Sequence, residues 1–160
     1  WIFKLDSDRQ FLVKEFHSLW RRREEADLVL GIRKNRRDAG HRIALSRVIA
    51  FTVSLLAGRR LRDANTPFRL VRRELWEDLE PLIRERALAP SIMVSLGAAR
   101  RSWRIHEVPV THFARAHGPS SLRSLRLLVF SLAGLRELLE FHRRLERERA
   151  RGPVVARGLT

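Results

Sequence analysis

Short apolar runs of strand length alternate along this chain with stretches of helical periodicity, and that alternation limits the folds open to it. Residues 1–5, "WIFKL", read as a buried strand that ends at two carboxylates, Asp6 and Asp8. Across residues 11–23, Val13, Phe16, Leu19 and Trp20 recur at the spacing of an amphipathic helix. Residues 26–33, "ADLVLGIR", form a short β-type run closed by a loop, and residues 43–57 form a long apolar helix stopped by Gly58. Turn chemistry at Asn65 and Pro67 precedes another short apolar run. Residues 74–86 then read as a helix that Pro81 kinks or restarts. A helix near residues 91–99, a strand over 103–113 and one long helix over 122–149 complete the pattern. The order β, α, β, α, β-like, α, α, β, α predicts an α/β layered sheet.

A chain of 160 residues with 44% apolar content has the size of one domain and enough material for one core. It has no cysteine, which rules out a disulfide framework or a thiolate metal site and makes an intracellular setting the simpler reading. The charge-free stretches at residues 48–58 and 127–135 fall short of the roughly 20 apolar residues that cross a bilayer. No signal-peptide pattern opens the chain.

The 33 Lys and Arg against 18 Asp and Glu leave a net charge of +15, nearly all of it arginine. Such a field favours polyanions: nucleic acid, an anionic membrane face or phosphorylated ligands. Arginines that only decorate solvated helix faces give the same count. A basic nucleic-acid-binding module without catalysis is therefore one function class, and it requires basic residues gathered with stacking aromatics. Here arginine is spread along the whole chain without such a motif, so no nucleic-acid partner is expected.

The acidic pair points elsewhere. An Asp-x-Asp at a strand end puts residues i and i+2 on one side of the pleat, where two carboxylates repel unless a cation lies between them. A hard divalent ion with oxygen ligands, Mg²⁺ or Mn²⁺, suits such a pair and can hold a diphosphate. Gln10 would add a neutral oxygen. The alternative is that Asp6 and Asp8 cap a helix beginning near residue 11.

"WIFKLDSDRQF" resembles the strand and Asp-x-Asp motif of the family 2 glycosyltransferases, nucleotide-sugar enzymes of the three-layered, Rossmann-like GT-A fold. "ADLVLGIRKNRRD" resembles the family strand that ends in Gly-x-Arg. "HRIALSRVIAFTVSLLAGRRLRDANTPFRLVRREL" resembles the helix and the Asp-x-x-x-x-Phe-Arg segment on the acceptor side. "WRIHEVPVTHFARAHGPSSL" resembles the Glu-Val-Pro-Val strand and the Arg-x-x-Gly-x-Ser loop. The pieces keep the family order and cover about residues 1–141. They are most similar to the subgroup that contains dolichyl-phosphate mannose synthase and bacterial polyprenyl-phosphate relatives. Arg9 stands where the family often has Gly. The Gln-x-x-Arg-Trp signature of processive synthases is missing, which argues against polysaccharide polymerisation. In the family the half of the domain that holds the nucleotide base precedes Asp-x-Asp. Residues 1–121 are therefore expected to be the C-terminal portion of a longer catalytic domain, inactive by itself.

The resemblance implies metal-dependent, inverting transfer of a sugar from a nucleoside-diphosphate sugar to an acceptor, with a polyprenyl phosphate at the cytoplasmic membrane face as the lipid candidate. It assigns Asp8, Gln10 and Asp6 to Mg²⁺ or Mn²⁺, with Asp6 also within the donor's reach. Arg33, Arg47 and Arg115 match phosphate-binding arginines, whose planar fork bonds phosphate oxygens in pairs. Asp63 matches the acidic position of the base. Toward an acceptor that is already ionised it would orient rather than abstract, and an Asx-turn in "DANTP" is the plainer reading. Gly118 and Ser120 resemble a loop that closes over the diphosphate. His106, His112 and His117 have no standard zinc spacing. The helix of residues 122–149 either lies in the membrane interface or packs on its own sheet or another subunit, and residues 150–160 form a flexible tail.

Overall fold

A computed structural model describes residues 1–7, 9–34, 40–113 and 124–151. Strands β1 (Ile2–Lys4), β2 (Leu28–Lys34), β3 (Arg69–Val71) and β4 (Ile105–Thr111) form one sheet in the order β1-β3-β2-β4. β3 is antiparallel to β1 and β2, whereas β2 and β4 are parallel. Strands β1, β2 and β4 therefore point the same way and end on one side of the sheet. The mixed α/β architecture agrees with the alternation in the sequence.

The two-residue period of the strands divides the apolar side chains between two cores. Leu28 and Leu30 face helices α2 (Gly40–Ala57), α3 (Arg73–Leu79), α4 (Pro90–Arg100) and α5 (Ser124–Arg151), meeting Val53, Leu75, Leu79, Leu96 and Phe141. Val29 faces the opposite side with Phe11, Phe68, Leu70 and Leu19, the last from the short helix α1 (Phe16–Trp20).

Two expectations are corrected. β1 is an edge strand and is not buried: Trp1 and Ile2 stay 38% and 39% exposed, and only Phe3 turns inward onto Phe16 and Phe68. The helix expected over residues 11–23 is also shorter. Phe11 forms an antiparallel bridge with His112, so a 3-10 turn (Val13–Glu15) opens only after it and leads into α1. The Glu15 carboxylate ties that turn to β4 by accepting from the Thr111 amide and hydroxyl, both at 2.8 Å. Leu12 occupies the cap position and makes no side-chain cap bond, so the described Asp6 is not a helix cap.

α2 ends at Ala57, and the Gly58 that stops it takes the left-handed φ of +66° that favours glycine there. α3 ends at Leu79, and Pro81 opens a fresh 3-10 turn (Glu80–Leu82). The second half of α5 packs on its own domain through Leu138, Phe141 and Leu145. Ion pairs of Glu140 with Arg84, Glu146 with Arg100 and Glu148 with Arg101 fasten it. Val129 and Leu132, nearer its start, stay exposed.

Candidate functional site

The site forms at the carboxyl ends of β1, β2 and β4, the side on which open α/β sheets bind ligands. After β1 the chain crosses the ends of the neighbouring strands. It docks on the residues beyond β4: the Phe113 amide donates to the Gln10 carbonyl at 2.9 Å, and Gln10 Nε2 donates to the Phe113 carbonyl at 3.1 Å. Asp6 stands exposed on this crossing segment. Arg9 is exposed and has a left-handed φ of +59°, a conformation glycine adopts freely and a β-carbon resists.

Asp63 and Arg33 meet at the same edge. Arg33 Nε donates to Asp63 Oδ2 at 2.6 Å and Nη2 donates to Oδ1 at 2.8 Å, a two-point fork with both side chains largely buried. Arg33 comes from the end of β2, and Asp63 from the loop between α2 and β3. That loop is pinned before and after the carboxylate. The Leu61 amide donates to Ser54 Oγ, the Arg62 amide donates to Glu107 Oε1 at 2.7 Å, and the Thr66 amide donates to the Asp63 carbonyl. The turn is thus closed through the backbone oxygen of Asp63, and its carboxylate is directed to Arg33.

Lys4 and Arg69 also belong to this neighbourhood, and neither was singled out from the sequence. They are paired across β1 and β3 and reach the same first turn of α4: Lys4 Nζ donates to Ser91 Oγ at 2.9 Å and Arg69 Nη1 to the Ser91 carbonyl at 2.6 Å. Burial and the nearby Arg69 cation lower the Lys4 pKa, while Asp6 opposes them. Arg69 lies in the Phe-Arg of the recognised segment, but one arginine inside "FRLV" carries no mark of burial.

Arg47 is exposed on α2, and among the described residues no ion pair joins it to Asp63. Asp8, Arg115, Gly118 and Ser120 lie outside the described residues. Among those described, no three His, Cys, Asp or Glu side chains gather to hold a metal ion. The donor chemistry still suits a hard cation. The Asp6 carboxylate is solvent-facing, and Gln10 carries a carboxamide oxygen, both donors of the type a hard cation takes.

The chain is 34% identical over 128 residues, 79% of its length, to the undecaprenyl-phosphate 4-deoxy-4-formamido-L-arabinose transferase of Pseudomonas paraeruginosa. It spans 36% of that protein. No protein-family model matches the chain.

Proposed function

We propose that this chain is part of a sugar transferase that moves a glycosyl group from a nucleoside-diphosphate sugar to a polyprenyl phosphate. The reading rests above all on the buried Arg33–Asp63 fork, set at the same strand ends as Asp6 and Gln10. The name of the similar Pseudomonas protein supports it, as does the order of the family 2 motifs.

In this reading the acceptor phosphate oxygen attacks the anomeric carbon as the bond to the donor diphosphate breaks, with inversion. The bonding pair leaves with the nucleoside diphosphate. An ionised phosphate brings its own nucleophilic oxygen, so Asp63 serves to hold Arg33 toward phosphate and removes no proton. Asp6, Asp8 and Gln10 would hold Mg²⁺ or Mn²⁺, which when bound offsets charge on the departing diphosphate. Arg115, Gly118 and Ser120 would close on the diphosphate, and Arg47 would meet phosphate from α2.

In this reading the protein meets its lipid acceptor at the inner face of the membrane, as a peripheral contact. No helix among the described residues is long and apolar enough to cross a membrane. Val48, Phe51 and Leu55 form an exposed apolar stripe on α2, and Val129 and Leu132 are exposed on α5. Such stripes beside arginines suit an anionic lipid surface. Against a nucleic-acid module, many arginines are committed to carboxylates, among them Arg22, Arg73, Arg100, Arg101 and Arg104.

The test is a thermal shift on the full-length polypeptide that carries this chain, with UDP or GDP and Mn²⁺ or Mg²⁺, wild type against Asp8→Ala. Stabilisation that needs the metal and disappears in Asp8→Ala supports the donor site. No stabilisation by any nucleotide, with salt-sensitive DNA binding that Asp8→Ala leaves intact, would replace it with the basic module.

A further inference from the structure

Arg69 is an arginine inside the sheet, 1% exposed, on the face that α4 covers and level with Lys4 on β1 and Leu30 on β2. Its guanidinium is a hub for backbone oxygens. Nε donates to the Thr66 carbonyl at 2.8 Å, and Nη2 donates to the Ala64 and Thr66 carbonyls at 2.9 and 2.5 Å. Nη1 donates to the Ser91 carbonyl at 2.6 Å and to Ser95 Oγ at 3.3 Å. The Ser95 hydroxyl donates in turn to the Ala64 carbonyl at 2.8 Å.

Among the described residues no carboxylate bonds this cation; Asp63 and Asp6 are the anions whose fields act on it. Burial lowers its pKa to about 10, so it is charged at neutral pH. A buried cation held by carbonyls and one hydroxyl costs more than an apolar side chain of similar volume, and β3 is otherwise apolar at Leu70 and Val71. Stability of the core therefore gives no reason for an arginine here. Its reach does. The same side chain holds both the turn directly behind Asp63 and the first turn of α4, which Lys4 also contacts from β1.

We infer that Arg69 is a positioning residue: it grips the 64–66 turn and α4 together and so keeps the Asp63 carboxylate seated on Arg33. The inference deepens the transferase reading and rests on it for its consequence in catalysis. A lysine keeps the charge but is a single point on a flexible stem, and it cannot span these acceptors.

The experiment compares wild type and Arg69→Lys in the full-length polypeptide, with Ser95→Ala as a second, milder variant should Arg69→Lys not fold. The first readout is hydrogen exchange at Arg33 Nε–H, followed by nitrogen-15 NMR. Protection reduced about tenfold in the variant, while amides of α5 keep theirs, supports positioning; unchanged protection at Arg33 overturns it. The second readout is kcat for sugar transfer. Arg69→Lys is expected to lower kcat about tenfold with donor KM nearly constant, and to add little in an Asp63→Asn background. Equal losses in both backgrounds would mean a structural role and would overturn the inference. A wild type that transfers no sugar would sink the transferase reading, and exchange at Arg33 would still decide the role of Arg69.

Discussion

Gly31 and Phe68 approach so closely that no β-carbon fits between them: one built on Gly31 would stand 2.9 Å from both the Cδ1 and the carbonyl oxygen of Phe68. The Gly-x-Arg strand and the Asp-x-x-x-x-Phe-Arg segment are thus in contact through the glycine of one and the phenylalanine of the other. Phe68 also stacks on Phe11 at 5.3 Å, so the contact extends to the segment that follows the acidic pair.

Gly31→Ala is expected to destabilise the protein by about 2 kcal/mol, and Phe68→Leu should not rescue it because the backbone oxygen remains. Gly97 is the contrast. The three atoms nearest its added β-carbon are all side-chain carbons of Leu79, the closest at 2.6 Å, so Leu79→Ala should recover part of the loss in Gly97→Ala. Denaturant unfolding of the single and double variants measures both.

The Arg33–Asp63 fork predicts strong coupling in transfer. Arg33→Met and Asp63→Asn should each lower kcat/KM about tenfold or more, and the double variant should lose little beyond either, a coupling of about 1 kcal/mol or more. Additive losses would show that the two side chains act separately.

Arg9 holds a left-handed backbone without being glycine. Arg9→Gly should raise stability by about 1 kcal/mol by removing the clash of the β-carbon. A loss of stability in thermal melts would contradict this.

Asp27 predicts a pH dependence. The Arg104 side chain, aided by the Arg104 amide and Arg72, holds its carboxyl below the ordinary 3.8, and burial opposes them. A carboxyl lowered in the folded state adds stability that is complete above its unfolded value and is lost as pH falls through the folded one. Asp27→Asn should therefore cost about 2 kcal/mol at neutral pH, and its deficit should shrink below about pH 4. A deficit that stays constant down to pH 2 would refute the assignment.

The α2 stripe predicts lipid contact. Phe51 and Leu55 are each 71% exposed, so Phe51→Ser with Leu55→Ser should leave the melting temperature nearly unchanged. Sedimentation with anionic vesicles should fall several-fold in that variant. Equal sedimentation would assign the stripe to something other than lipid.

Sequence alone determined the element order, the stop of α2 at Gly58 and the break at Pro81. These follow from local periodicity and backbone chemistry, which neighbouring residues carry by themselves. The family resemblance also pointed to Asp63 and Arg33, whose side chains the structure pairs. The sequence misread residues 1–23, because the Phe11–His112 bridge is a tertiary contact that shortens a helix whose periodicity is otherwise sound, and because edge position cannot be read from an apolar run. Only the tertiary structure decided that Asp63 faces Arg33, that Arg9 is left-handed, and that one arginine in "FRLV" is a buried cation. Those outcomes depend on strand register: Lys4, Arg69 and Leu30 share one face because β3 lies between β1 and β2, a pairing that no local stretch of the chain contains.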